Sequence, residues 1–191
     1  MIQFETPRLQ IRPFAPDDLQ VIHQILDYSF GDRSLAEDPT ALADRKSWLQ
    51  WSMLSQEWLP KMHQPPYGDL AVVLKENQEL IGSVGLVPSF NIFDQIPELR
   101  CKESQKLYYR PEVGLFWVIA EAHRNHGYAS EAGRAMIDYA FREMSLGRIV
   151  ATTEYVNLAS QAVMRKLGMT LFSNPRPDPP WLQVVGLLEL P

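Results

Sequence analysis

The chain has few of the features that mark secreted, membrane-spanning or nucleic-acid-binding proteins. Cys101 is its only cysteine, so no disulfide can form within the chain, as is typical of proteins in a reducing cytoplasm. No run approaches the roughly 20 apolar residues of a membrane-spanning helix, and charges stand too early in the first residues for a secretory signal. The formal net charge of -5 predicts no general attraction to nucleic acid or to anionic membranes. We therefore expect a cytoplasmic protein without nucleic-acid or membrane partners.

Length and composition favour a single globular domain. The 191 residues are enough for one substantial core, and no internal repeat or low-complexity tract interrupts them. With 46% hydrophobic and 21% charged residues, the chain has the composition of an ordinary globular protein. We expect residues 1–191 to form one domain.

Apolar periodicity predicts a mixed order of strands and helices. The first strand covers Arg8–Phe14, and a helix starts after Pro16-Asp17-Asp18. A loop near Gly31-Asp32 leads to a second helix at about Thr40–Met62. The later strands are predicted at "LAVVLKE" and "LIGSVGLVPSF", which form a hairpin, and at "EVGLFWVI", "RIVATTEYV" and "WLQVVGLLEL", with helices at "SEAGRAMIDYAF" and "NLASQAVMRKLGM".

Two stretches have more than one interpretation. Trp48, Trp51, Trp58 and Met62 lie near one another on the second predicted helix, where core packing is favoured over a wall of a substrate pocket. The segment Phe90–Pro111 is long for a hairpin connection. It is either an ordered loop that packs on itself or a cover over a pocket.

A glycine-containing turn joins a strand to a helix in the second half of the chain. "EVGLFWVI" precedes it and "SEAGRAMIDYAF" follows it, and we call residues Arg124–Ala129 the glycine turn. A helix N-terminus offers unpaired backbone N–H groups and a partial positive charge, and Gly127 lets an anion approach the backbone closely. The P-loop and the three-glycine dinucleotide fingerprint are absent from the sequence. The turn is therefore either a phosphate site of another kind or a purely structural helix start.

At this turn the residues resemble a known family. Arg124-Asn125-His126-Gly127-Tyr128-Ala129 is similar to the R/Q-x-x-G-x-G/A signature of the GNAT superfamily of N-acetyltransferases. "TPRLQIRPF", "SEAGRAMIDYAF" and "NLASQAVMRKLGM" resemble segments of its Rim-type ribosomal-protein acetyltransferase branch, with Met169 in place of the usual phenylalanine. The resemblance covers essentially the whole chain. The long Phe90–Pro111 segment departs from the short hairpin common in the family.

The resemblance implies a fold. We expect one α/β (α+β) domain in which a mixed, mostly antiparallel sheet carries helices on both faces. A V-shaped splay between "EVGLFWVI" and "RIVATTEYV" would admit the cofactor. A homodimer is compatible with this fold.

The resemblance also implies a cosubstrate, acetyl-coenzyme A. The glycine turn would hold its pyrophosphate through Arg124, Asn125, His126, Gly127, Tyr128 and Ala129. Val118 and Ile119 would pair with the pantetheine amides, and Asn157 and Ser160 would face the cofactor arm. Asn157 has a second interpretation as a plain helix N-cap. No metal is expected, because the spacing of His123 and His126 alone does not make a metal site.

The implied reaction is acetyl transfer to a primary amine by direct attack in a ternary complex. The amine is a protein N-terminus or a small-molecule amine, and it must be neutral to attack. A lysine amine, with a pKa of about 10.4, needs a protein base more than an α-amine, with a pKa of about 8. Glu112 is the first candidate base and Glu154 the second. Met164 stands where many relatives have a tyrosine that protonates the leaving thiolate, so Ser160 is the candidate near the sulfur.

Two other functions remain open. A non-catalytic acyl-coenzyme A binding module would share the cofactor site without needing a base. Phosphate-ester or nucleotide chemistry at the same turn would need a set of metal-binding carboxylates, and the sequence offers no obvious one.

Overall fold

Among the described residues, eight strands form one sheet, and four α-helices accompany it. In the computed structural model, which describes residues 2–29, 38–100 and 107–190, the strand order is β1-β2-β3-β4-β5-β6-β8-β7. The strands are β1 Phe4–Glu5, β2 Leu9–Arg12, β3 Gly68–Leu74, β4 Leu80–Asn91, β5 Arg110–Ile119, β6 Arg148–Thr153, β7 Thr170–Ser173 and β8 Val184–Glu189. The helices are α1 Leu19–Ser29, α2 Pro39–Lys61, α3 Tyr128–Arg142 and α4 Leu158–Lys166.

The sheet is mixed and mostly antiparallel. Strand β5 pairs with β6 in parallel. The antiparallel pairs are β1–β2, β2–β3, β3–β4, β6–β8 and β7–β8. The parallel register joins Gly114 of β5 to Val150 of β6, and the V-shaped splay of these strands stays a prediction. The predicted α/β class and mixed sheet are therefore confirmed.

Local chemistry explains where the helices begin. The backbone N–H of Ala15 donates to Asp18 Oδ2 at 2.7 Å, which caps the turn that leads into α1. Asp38 accepts from the backbone N–H of Thr40 at the start of α2, with Pro39 at the first helical position. Asn157 caps α4 in the same way. The predicted loop near Gly31-Asp32 lies outside the described residues.

The described chain divides into two compact units, each with its own core. Unit 1 comprises Met1–Leu86 and Phe116–Met136, and unit 2 comprises Val87–Leu115 and Ile137–Pro191. The core of unit 1 contains Phe14, Ile22, Leu26, Leu49, Val73 and Val118, and that of unit 2 contains Phe93, Ile96, Val150, Leu182 and Val185. The assignment of residues 1–191 to one acetyltransferase domain stays a prediction.

The aromatic stripe of α2 is mostly exposed. Trp51, Trp58 and Met62 have exposed fractions of 68%, 52% and 56%, and Trp48 alone packs on the core, edge-on to Phe14 at 5.3 Å between ring centroids. Core packing was therefore the wrong interpretation for three of these four residues.

The buried stripe of α2 runs one residue later along the helix and contains polar side chains. Its members are Leu49, Ser52, Ser55, Gln56 and Leu59. Ser52 donates to the carbonyl of Trp48 and Gln56 donates to the carbonyl of Tyr67, so both are buried with a hydrogen bond. Buried polar residues hid the true buried face from a hydrophobic pattern, although Gln56 Oε1 has no hydrogen-bond partner among the described residues.

Unit 1 buries one oxygen of a half-buried carboxylate, Asp69, at the start of β3. Asp69 pairs in register with Gly85 of β4, and a Cβ at Gly85 would lie only 2.8 Å from Asp69 Oδ1. That oxygen is buried without a hydrogen-bond partner among the described residues. Burial raises the pKa of Asp69 from 3.8 to about 6, and the Trp48 hydrogen bond and the Arg45 charge offset only part of that effect.

We expect Asp69→Asn to stabilise the protein at neutral pH. The unfolded state releases this proton near pH 3.8 and the folded state near pH 6, so stability falls as the pH rises through that window. A full shift of this size corresponds to about 3 kcal/mol, and we expect about 2 kcal/mol because the residue keeps some contact with solvent. Urea unfolding of both proteins at pH 4, 5, 6 and 7 measures the difference. A variant that is less stable at pH 7, with an unchanged pH dependence, would contradict this assignment.

Candidate functional site

The glycine turn has a backbone suited to anions. A short 3-10 turn, Glu121–His123, follows β5, and α3 begins at Tyr128. Asn125 and Gly127 both have positive φ, at 65° and 84°. Within the described chain, the backbone N–H groups from Asn125 to Ala129 donate no hydrogen bond to another described residue. Alternating left-handed residues before a helix with unpaired N–H groups form a concave anion-binding backbone.

Side chains of the turn fix its shape locally. Arg124 Nε donates to the carbonyl of Ile119 at 3.2 Å, which ties the turn to the end of β5. His126 Nδ1 lies 2.8 Å from the carbonyl oxygen of Arg124, and its ring stacks on Tyr128 at 5.8 Å between centroids. These contacts join the exposed turn to β5 and link its own residues to one another.

His123 and His126 have separate environments. His123 Nε2 lies 3.0 Å from Glu79 Oε1, and this hydrogen bond is the main cause that lowers the pKa of Glu79. In the described ranges, no group of three or more His, Cys, Asp or Glu side chains could hold a metal ion.

The end of β5 offers its backbone in two directions. The N–H of Ala120 donates to the carbonyl of Ile81 at 2.8 Å, and the carbonyl of Val118 lies against Gly82 of β4. Because backbone groups alternate along a strand, the Ile119 carbonyl points away from β4. Val118 and Ile119 were both predicted to contact pantetheine. The backbone carbonyl of Ile119 lies on the side of β5 away from β4, whereas that of Val118 faces β4.

Arg8 is the residue of this region that the sequence did not reveal. Its guanidinium donates to the carbonyl of His126 at 3.0 Å and lies 4.4 Å from the Tyr128 ring centroid. It also pairs with Glu131 in the first turn of α3. Residues 8 and 131 are far apart in sequence, so no periodicity connects them; the only signal was that both belong to segments that resemble the same family.

Glu112 is buried in an ion-pair cluster of unit 2. Arg148 Nε donates to Glu112 Oε2 at 2.9 Å, and Arg148 Nη2 donates to Oε1. Arg110 Nε lies 3.3 Å from Oε1, and the Glu112 side chain is only 6% exposed. The first candidate base therefore has guanidinium groups at both oxygens.

The other predicted site residues of unit 2 lie around the start of α4. β6 ends at Thr153, so the predicted strand "RIVATTEYV" is too long, and the exposed Glu154 begins a turn in which the N–H of Asn157 donates to its carbonyl. Asn157 Oδ1 accepts from the backbone N–H of half-buried Ser160 at 3.0 Å, which confirms the predicted N-cap. Their cofactor and catalytic roles stay predictions.

Met164 is part of the core of unit 2. It is fully buried, and a Cβ at Gly186 would lie 3.1 Å from its sulfur. The side chain at this position therefore packs against β8 and offers no hydroxyl group.

The described part of the Phe90–Pro111 segment is ordered by core contacts. Two 3-10 turns, Phe93–Gln95 and Pro97–Leu99, bury Phe93 and Ile96 in the core of unit 2. Asn174 donates to Gln95 at 2.8 Å, and Trp181 donates to Asn91 at 3.1 Å. The segment packs on unit 2 as well as on itself, and residues 101–106 lie outside the described residues.

Comparisons with known proteins identify the family. The sequence profile of the acetyltransferase (GNAT) domain matches residues 8–170. The chain is 48% identical over 168 residues to "Uncharacterized N-acetyltransferase YnaD" of Bacillus subtilis (strain 168), a match that covers 86% of this chain and 80% of the relative. The protein therefore belongs to the GNAT family of acetyltransferases.

Solved structures agree with this fold. An acetyltransferase from Agrobacterium tumefaciens str. C58 matches with 25% identity and a TM-score of 0.68, covering 100% of this chain and 95% of that one. RimL, a ribosomal L7/L12 α-N-protein acetyltransferase in complex with coenzyme A, matches with 13% identity and a TM-score of 0.62, over 99% and 98% of the two chains. Among the helices of the described residues, none is both long and apolar enough to cross a membrane.

Proposed function

We propose that this protein transfers an acetyl group from acetyl-coenzyme A to a primary amine, either a protein N-terminus or a small-molecule amine. The glycine turn is the observation that carries the proposal. It combines two left-handed residues, unpaired N–H groups and a glycine without Cβ in a chain of the GNAT family. The Rim-type resemblance of the sequence and the fold of a coenzyme A-bound Rim protein support this choice of cofactor.

The residues present fit the pyrophosphate of acetyl-coenzyme A. The backbone N–H groups of Asn125–Ala129 would bind phosphate oxygens, with Arg124 holding the turn to β5. Ile119 would offer its backbone to the pantetheine arm on the side away from β4, whereas the Val118 carbonyl faces β4. Asn157 and Ser160 would contact the arm from the start of α4.

The chain must then deliver a neutral amine and remove its proton. Acetyl-coenzyme A, when bound, supplies the thioester whose carbonyl carbon the amine nitrogen attacks while the C–S bond breaks. Glu112, or else Glu154, would accept the amine proton, directly or through water. Ser160 would donate a hydrogen bond near the departing sulfur.

Two measurements test the proposal. We expect calorimetric titration of the pure protein with acetyl-coenzyme A to give a Kd in the micromolar range. A panel of peptides with free N-termini, N-terminally blocked lysine peptides and small amines is then followed by release of free thiol. Wild-type protein that does not bind acetyl-coenzyme A would overturn the proposal.

A non-catalytic acyl-coenzyme A binding module is the second candidate. The guanidinium contacts at both oxygens of Glu112 and the buried Met164 in place of a hydroxyl favour it. It predicts micromolar binding without thiol release for any amine of the panel, whereas the transferase releases thiol with at least one.

A further inference from the structure

The segment before β2 is joined to the first turn of α3 through one carboxylate. Glu131 Oε1 accepts from the Thr6 hydroxyl at 2.6 Å and from the backbone N–H of Arg8 at 2.9 Å. Glu131 Oε2 accepts from Arg8 Nε at 2.7 Å and lies 2.6 Å from Arg8 Nη2. Backbone and side chain of Arg8 therefore both bind Glu131, which fixes the direction of the guanidinium.

That guanidinium also contacts two residues of the glycine turn, His126 and Tyr128, and passes beside Gly127 between them. Arg8 Nη1 donates to the carbonyl of His126, and Arg8 Nη2 would lie 3.5 Å from a Cβ at Gly127. Arg8 Cζ, the central carbon of the guanidinium, is 4.4 Å from the Tyr128 ring centroid. Asn125 has a left-handed backbone, which residues other than glycine seldom adopt, and the contacts of Arg8 with the neighbouring residues His126 and Tyr128 help to hold this conformation.

Charge gives Arg8 a second effect. Burial raises the pKa of Glu131, but the hydrogen bonds from Thr6 and Arg8 together outweigh burial and lower it, so the carboxylate is ionised at neutral pH. An unpaired carboxylate in the first turn of α3 would repel a phosphate bound at the same helix end. Arg8 cancels this charge where an anion is proposed to bind.

We propose that Arg8 is a positioning residue, which holds the glycine turn in its phosphate-binding conformation and neutralises Glu131 beside it. The inference rests on the proposed function and deepens it, because it names the side chain that prepares the backbone site. The turn itself would make the phosphate contacts.

The test compares Arg8→Gln, Glu131→Gln, the double variant and Arg8→Lys. Calorimetric titration with coenzyme A measures binding, and urea unfolding measures stability. We expect Arg8→Gln to weaken coenzyme A binding about 30-fold, because it loses the contact with the turn and leaves Glu131 uncompensated. Glu131→Gln should change the Kd less than about threefold, and the double variant should recover binding to about fivefold weaker than wild type.

The recovery in the double variant isolates the charge effect of Arg8, and the remaining fivefold loss isolates its contacts with the glycine turn. If Arg8 only supports the fold, the double variant should be no more stable than Arg8→Gln and should bind coenzyme A no more tightly. That result would overturn the inference. If Arg8→Gln does not fold, the test uses Arg8→Lys, which keeps the positive charge but lacks the guanidinium that donates to the His126 carbonyl. A Kd of Arg8→Lys for coenzyme A within twofold of wild type would then overturn the inference. Wild-type protein that fails to bind coenzyme A would overturn the proposed function and this inference with it. Wild-type binding with unchanged affinity in Arg8→Gln would overturn the inference alone.

Discussion

Gly127→Glu should weaken acetyl-coenzyme A binding by about 1,000-fold while the protein still folds. The new side chain places a carboxylate where the pyrophosphate is proposed to lie, and two like charges within a few ångströms repel strongly in a partly desolvated site. A Cβ at this position has room, because its contact within 4 Å is Arg8 Nη2 at 3.5 Å. The positive φ of 84° should reduce stability by about 1–2 kcal/mol, which urea unfolding measures.

Two matched variants separate the causes of that loss. Gly147→Glu adds the same charge at an exposed glycine whose Cβ would meet nothing within 4 Å, and its Kd should stay within twofold of wild type. Gly127→Ala adds the backbone strain without the charge, so we expect a similar stability loss but less than tenfold weaker binding. Folded Gly127→Glu that binds acetyl-coenzyme A like wild type would show that the phosphates lie elsewhere.

Periodicity was a good guide to the elements and a poor guide to their environment. Alternation and turn residues located the β3–β4 hairpin and both helices of the first half, because those signals are local. The buried face of α2 was misplaced by one residue, because it contains the polar residues Ser52 and Gln56. Their side chains are buried while they donate hydrogen bonds to the backbone carbonyls of Trp48 and Tyr67. The end of β6 at Thr153 was missed because Tyr155 and Val156, which are residue types common in strands, follow it in "RIVATTEYV".

Some features of the site could be predicted from the sequence, and others depend on contacts between distant residues. The glycine turn and the N-cap at Asn157 follow from short segments, so the sequence alone could indicate them. The partners of Arg8 and Glu112 could not be read in this way, because Glu131 and Arg148 lie 123 and 36 residues away. These long-range pairs decide what the named residues are able to do, which only the fold can show.

The guanidinium contacts of Glu112 bear on the choice of amine. A carboxylate that already accepts from Arg148 at both oxygens must give up part of a hydrogen bond to take a proton. An α-amine, of which about a tenth is neutral at pH 7, makes little demand on such a base, whereas a lysine amine is neutral in well under a thousandth of molecules. As the proposed base, Glu112 would therefore serve a protein N-terminus or another amine of low pKa better than a lysine side chain.

Glu112→Gln should lower kcat/KM for the amine about 100-fold, with the KM for acetyl-coenzyme A unchanged. The amide keeps the shape of the carboxylate but can no longer accept the proton, and loss of a general base has effects of this size. Steady-state thiol release measures it, at a temperature where urea unfolding shows the variant to be folded.

Arg148→Gln is the matched control, because it breaks the same ion pair while leaving the carboxylate in place. If Glu112 accepts the proton, this variant should keep kcat/KM within about fivefold of wild type, since the remaining carboxylate is freer to react. An ion pair that only supports the fold predicts instead that both variants lose stability and activity together, because each leaves a charged partner uncompensated. Equal losses in the two variants would remove Glu112 from the reaction and make Glu154 the carboxylate to test next.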